Sequence, residues 1–312
     1  MAIFSVKTLS DAFESIQANR GCAGVDGITI SRFEKQLDSN LTELADSISN
    51  GSYFPLPLLK IIVAKKDGEP RGLCIPTVRD RVAQKAALDI IEPALEKEFE
   101  DCSFAYRKNK SVRQAIHQIK NLYDDGYFWV VDADIDAFFD NVDHELLFKK
   151  LDVFIKDASV LNLLNMWITA EVWDGKAITI LEKGIPQGSP ISPILANLLL
   201  DELDEILMKE GYRHVRYADD FIILCKNSEN AQSAMELTKK TLDKLLLKVD
   251  EADITNFDHG FKYLGVLFIK SMILKPFETP KRKRQILNYP PPMNVDEYLK
   301  SKNKSKTWQT YI

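Results

Sequence analysis

Residues Tyr217-Ala218-Asp219-Asp220 set two adjacent carboxylates between short apolar runs, His214 to Tyr217 and Phe221 to Cys225. Two such runs joined by Asp-Asp predict a β-hairpin with acid at its tip, because Asp tolerates turn geometry and bonds its own backbone. Paired like charges call for a cation. Divalent Mg²⁺ takes carboxylate oxygens and keeps positions open for substrate phosphates, so the pattern points to phosphoryl transfer. Alone, an Asp-Asp turn is more often solvated surface.

A second acidic segment shifts that balance. In Phe128-Trp129-Val130-Val131-Asp132-Ala133-Asp134-Ile135-Asp136, strand alternation puts Asp132, Asp134 and Asp136 on one face. Three carboxylates on an otherwise apolar strand repel one another and lose hydration unless a cation or solvent compensates. The apolar weight of Trp129, Val130, Val131 and Ile135 argues for a central strand whose acidic end opens into a cleft. One of its carboxylates beside Asp219 and Asp220 could hold two metals roughly 3.5 to 4 Å apart, the arrangement of in-line displacement at phosphorus. Spacing alone does not choose among the three.

Elements able to position these residues follow from periodicity and caps. Helices are expected at about Thr8 to Asn19, Ser31 to Asn50 and Val82 to Phe99. Others are expected at Val112 to Leu122, Glu145 to Phe154 and Glu229 to Leu247, backing the sheet, and a further helix at Ile194 to Met208 with its leucines in the core. Ser192 and Pro193 fit the N-cap and first position of the helix at Ile194. The expected architecture is α+β with an antiparallel core sheet.

The ordered motifs resemble a reverse transcriptase of the group II intron-like lineage. Gly24-Val25-Asp26-Gly27, Lys65 through Arg71, Ile75 through Arg81 and Leu88 through Pro93 resemble its fingers. Asp134-Ile135 through Phe138-Phe139-Asp140-Asn141-Val142-Asp143-His144 resembles the first catalytic motif, which implies Asp134 as the metal-bearing residue. Gly184 through Pro193 resembles the nucleotide-pocket loop. Tyr217 to Asp220 resembles the signature turn, and Phe261-Lys262-Tyr263-Leu264-Gly265 the last palm motif. The likeness runs from about Ala23 to Phe268 and implies a right-hand polymerase with fingers and an antiparallel palm sheet. The family continues into a long helical thumb, whereas about 44 residues follow Phe268 here, so a thumb reduced, absent or supplied elsewhere is expected.

That resemblance implies RNA-directed DNA polymerisation by two Mg²⁺ ions, or Mn²⁺, held by Asp134, Asp219 and Asp220. It implies Phe139 as a gate against the ribose 2′-hydroxyl, and Gln187 and Gly188 as nucleotide-pocket residues. Lys65 and Arg71 resemble a fingertip clamp on the triphosphate, Arg as a bidentate fork and Lys as a point charge. Arg79, Arg81, Arg107 and Lys108 belong to a basic set, with Lys85, Lys110 and Arg113, that would neutralise template phosphates. Partners implied are an RNA template, a DNA or RNA primer and dNTPs. Two departures stand out: Arg71-Gly72-Leu73-Cys74 replaces the usual Arg-Pro-Leu-Gly, and the usual Lys-Thr pair is lost around Asp253-Ile254.

The 312 residues suit about two domains, with fingers over 1–125, palm over 126–270 and a basic, proline-containing tail over 271–312. Net charge is −5, yet Lys281 to Lys306 carries eight Lys or Arg against Asp296 and Glu297, so the remainder carries −5 − 6 = −11. Tyr289-Pro290-Pro291-Pro292 favours an extended segment, with a short helix expected near Val295 to Lys300. The compact ending looks similar to reverse transcriptases associated with CRISPR systems, which implies an adaptation integrase as partner and spacer acquisition from RNA. A phage-defence enzyme, an intron-derived enzyme and a catalytically idle palm used for binding are the competing expectations. Four unpaired cysteines and four scattered histidines favour a reducing cytosol and argue against Zn²⁺. No 18-residue apolar run or signal pattern is present, so a cytoplasmic protein without membrane contact is expected.

Overall fold

A computed structural model describes residues 3–64, 69–275 and 285–309. Lys65 and the basic run Lys281 to Arg284 lie outside the described residues. The N-terminal part opens with α1 (Val6–Ala18), capped by the Ser5 hydroxyl, which accepts from the Thr8 amide. The single helix expected over Ser31 to Asn50 is two, α2 (Ile30–Glu34) and α3 (Leu37–Ser49). The Asn40 side chain donates to the Phe33 carbonyl at 2.8 Å, and Phe33 stacks on Phe13 of α1, so the chain breaks to keep that packing.

Next come β1 (Leu58–Ala64) and β2 (Pro70–Ile75), an antiparallel pair, then α4 (Val78–Leu95). That helix starts four residues earlier than expected. Thr77 caps it through the Asp80 amide, and Asp80 also accepts from the hydroxyls of Tyr53 and Thr77. After α5 (Val112–Asp124) the chain enters β3 (Trp129–Ile135), the expected acidic strand. Three helices follow, α6 (Phe138–Asn141), α7 (His144–Phe154) and α8 (Ala158–Ile168), then the hairpin β4 (Glu171–Trp173) and β5 (Ile178–Ile180).

Helix α9 (Ser192–Lys209) leads to the hairpin β6 (Arg213–Tyr217) and β7 (Asp220–Cys225). Ser192 is already helical, with Ile191 at the cap position and Pro193 in the first turn, where its missing N–H costs nothing. Helix α10 (Ser228–Lys244) precedes β8 (Val249–Asn256), β9 (Phe261–Tyr263), β10 (Val266–Ile269) and β11 (Met272–Leu274). The last described elements are β12 (Ile286–Asn288) and α11 (Val295–Gln309). With no Gly or Pro after Pro292, α11 runs well past the expected Lys300.

The central sheet has the order β6-β7-β3-β8, every pair antiparallel. Alternation splits it cleanly. Val131, Ala133, Ile135, Phe221 and Ile223 enter the large core shared with α9 and α10. Val130, Val215, Ile222 and Leu224 face a smaller core with α5 and β9–β10. A second sheet is built on β1, which pairs antiparallel with β2 and β12 and parallel with β4. Tyr298 of α11 is buried against Val25, Leu56 and Leu59, and its hydroxyl donates to Glu171, so residues 286–302 return to this second sheet.

Candidate active site

On β3, Asp132 and Asp134 share the face of Val130, away from the large core. Asp132 lies opposite Ile222 of β7 on one side and Asp253 of β8 on the other. Tyr217 pairs with Asp220, so the hairpin tip is Ala218-Asp219 and Asp220 is the first residue of β7. The expected Asp-Asp tip is therefore shifted by one residue. Ala218 adopts φ 65°, the left-handed geometry of a two-residue hairpin whose twist matches its strands.

The outcome is a cleft of about 440 Å³ lined by Asp132, Asp134, Asp219, Asp220, Glu251 and Asp253. Burial lifts the Asp220 carboxyl to about 7, reinforced by the charges of Asp132, Asp134 and Asp219. Asp219 is likewise raised by burial and Asp134, with Arg71 and Arg216 opposing. Asp132 is raised by burial, then by Asp253 and Asp134. None of the ion pairs formed among the described residues reaches these six carboxylates. A donor set of clustered carboxylates without a basic partner fits hard divalent cations.

Asp134 and Asp219 also border a larger pocket, about 1000 Å³, with Lys60, Arg71, Asp136, Phe139 and Gln187. Asp136 thus belongs to this neighbouring space, because the chain leaves β3 after Ile135 and turns through Ala137 at φ 39°. Arg71 Nε donates to Gln187 Oε1 at 2.6 Å, and the Cys74 amide donates to the Gln187 carbonyl at 2.7 Å. Gly188 sits at φ 118°, where a Cβ would stand 2.9 Å from the Cys74 carbonyl oxygen; only glycine permits this approach. The Ile185 amide donates to the Phe139 carbonyl at 2.7 Å, and Phe139 packs edge-on against Phe138.

The four basic residues expected at template are not brought together. Arg79 donates to the Phe54 carbonyl and pairs with Asp80. Arg81 is 8% exposed and donates to the Cys22 carbonyl. Arg107 spends its donors on Glu96 and on the carbonyls of Phe99, Glu100 and Ser103. Lys108 stays exposed, paired with Glu92.

Sequence reasoning missed the support behind the hairpin. Arg216 is fully buried; its guanidinium engages both Asp204 oxygens, Asn197 Oδ1 at 2.9 Å and the Ala218 carbonyl at 3.1 Å. His214 Nε2 lies 2.9 Å from the same Asp204 and 3.1 Å from Cys102 Sγ. Cys102, Asp204 and His214 bring ligand atoms within 4.8 Å of one another, but Arg216 already supplies the compensating charge. The available signal was His214 and Arg216 at alternate positions, and so on one face, of the short segment leading into the Asp219 turn.

Residues 63–268 match the family model described as reverse transcriptase (RNA-dependent DNA polymerase). The chain belongs to this family. As a reverse transcriptase it is 31% identical over 288 residues to protein YkfC of Escherichia coli, covering 79% of this chain and 76% of that one. It is 32% identical over 199 residues to the group II intron-encoded protein LtrA of Lactococcus lactis, covering 64% of this chain and a third (33%) of LtrA. A partial Cas6-RT-Cas1–Cas2 complex is 29% identical over 78% of this chain and 41% of the matched chain, with a TM-score of 0.48. No described helix is long and apolar enough to cross a membrane.

Proposed function

We propose that this chain extends a DNA or RNA primer on an RNA template by nucleotidyl transfer, with Asp134, Asp219 and Asp220 as the metal-holding residues. The observation that carries this reading is the convergence of these acids, from separate strands, in a cleft without a basic partner. When bound, a pair of Mg²⁺ or Mn²⁺ ions supplies nucleophile activation and charge neutralisation at the leaving phosphates. Asp134 and Asp219 border both the acidic cleft and the larger pocket, so they stand where primer end and incoming nucleotide would meet. Arg71, poised on Gln187, is the phosphate fork, with Lys65 as its assigned companion. Gly188 keeps the backbone close to the nucleotide, and Phe139, locked to the Ile185 amide, is the gate at the sugar. Lys108, exposed beside Glu92, is the member of the basic set we retain as a template contact, while Arg79, Arg81 and Arg107 direct their guanidinium groups at carbonyls and acids of the fold.

Our division is fingers over 1–125, palm over 126–270 with fingers elements such as β4 and β5 interleaved, and the tail over 271–312, whose residues 286–302 seat on the β1-centred sheet. The cellular role we favour, spacer acquisition from RNA beside an adaptation integrase in the cytoplasm, rests on the sequence of Gly260 to Gly265 and the proline-containing tail.

The test is extension of a DNA primer on RNA with Mg²⁺ and dNTPs, beside Asp219→Ala. Wild type should make cDNA, and the variant should lose activity by about three orders of magnitude or more while still binding template, the scale of removing electrostatic stabilisation at the reacting centre. Equal synthesis by both would sink the assignment. Template binding without synthesis by the wild type would instead favour the idle-palm reading.

A further inference from the structure

Tyr106 has no part in the roles above, yet its placement is costly and enforced. Its backbone sits at φ 59°, a left-handed geometry that a bulky residue keeps only when its surroundings impose it, and 54% of its surface is exposed. Upstream, the chain runs parallel to β6. The Arg216 amide donates to the Cys102 carbonyl and the Phe104 amide to the Arg216 carbonyl, each at 2.9 Å. This pairing aims the segment at the Ala218–Asp219 tip. Asn197, which also takes Arg216, donates to the Ala105 carbonyl at 2.9 Å. Downstream, Arg107 is drawn back inside by Glu96 and three carbonyls. Phe104 and Ala105 are buried, so Tyr106 is turned outward between two anchors. Burial pushes its hydroxyl up, the charge of Asp219 adds to that and Arg71 opposes it, so the phenol stands in their company.

An exposed ring held beside acidic oxygens and a phosphate-type cation suits a flat, uncharged surface flanked by phosphate. Nucleobases present that surface, and stacking on them tolerates any sequence. We propose that Tyr106 is a substrate-contacting residue whose ring packs on the terminal base pair of the primer–template duplex beside the acidic turn. This rests on the polymerase reading and adds a contact that the carboxylates cannot make.

The experiment compares Tyr106→Phe, Tyr106→Ala and Tyr106→Gly in full-length chain. It measures KM for primer–template and for dNTP separately, Kd for the same duplex without dNTP, and Tm. Glycine suits the left-handed backbone, so Tyr106→Gly should melt at or above the wild-type temperature. Its KM and Kd for the duplex should nevertheless rise about tenfold, the loss of one stacking contact. Tyr106→Ala should lose the same affinity, and Tyr106→Phe should match wild type. Unchanged duplex affinity in the Gly variant, a change confined to dNTP KM, or a Phe variant as weak as Ala would each overturn the proposal. Because Kd needs no chemistry, a chain unable to synthesise cDNA would still report on Tyr106.

Discussion

Asp220, within the β6–β7 hairpin, and Asp204, on α9 behind it, are treated in opposite ways. Asp220 looks into the acidic cleft on the face of Ile222, and burial together with three neighbouring acids lifts it to about 7. Asp204 lies behind the hairpin and is wholly buried. Burial alone would raise it too, but the Arg216 guanidinium and the His214 hydrogen bond hold it below the usual carboxylate range. The fold thus places its internal cation on the side away from the acidic cleft and leaves the cleft side uncompensated. A charge left in that state is stable only if protons or added cations arrive. The back of the hairpin is charge-matched and closed, and the front is open and acidic.

The largest effect should come from breaking the back. Arg216→Met leaves Asp204 buried and unpaired, so stability should fall by about 3–5 kcal/mol in urea unfolding. The double variant Arg216→Met/Asp204→Leu should recover most of the loss, since apolar replacement of a whole buried pair is often neutral. A single variant as stable as wild type would erase the contrast between the two sides.

A smaller effect concerns pH, where the two acids carry opposite signs. Asp204 has a lowered value when folded, so its stabilisation is present above the ordinary Asp value of about 3.9 and is lost as pH falls through the folded value. Asp220 has a raised value, so its stabilisation is present below about 3.9 and is lost as pH rises through about 7. Metal-free protein should therefore lose Tm between about pH 4 and pH 7. Asp220→Asn should flatten that decline. An equally steep decline in the variant would move the responsible charge elsewhere.

Much of the front was legible in the sequence, because alternation alone puts Asp132 and Asp134 on one face and apolar runs bracket the Asp219 turn. The exclusion of Asp136 was not, since it depends on where β3 ends and Ala137 turns left-handed. The tip at Ala218-Asp219 likewise depends on strand register, which the residue types leave open by one position. The back was invisible for a different reason. Arg216 meets Asp204 across a helix–strand packing that no local pattern encodes, and Arg107 looks like a template contact until its acceptors at Glu96, Phe99, Glu100 and Ser103 are seen. The break at Lys35 and Gln36, and the return of Tyr298 to the β1-centred sheet, are tertiary in the same sense.

The most direct test of the central claim is thermal melting of wild type and Asp134→Asn/Asp219→Asn, each without metal and with millimolar Mg²⁺. Removing uncompensated charge should raise the metal-free Tm of the double variant above wild type. Mg²⁺ should then raise the wild-type Tm by binding the folded state, and leave the variant unmoved. A wild type indifferent to Mg²⁺, or a variant that melts lower without metal, would contradict a cleft built to await its cations.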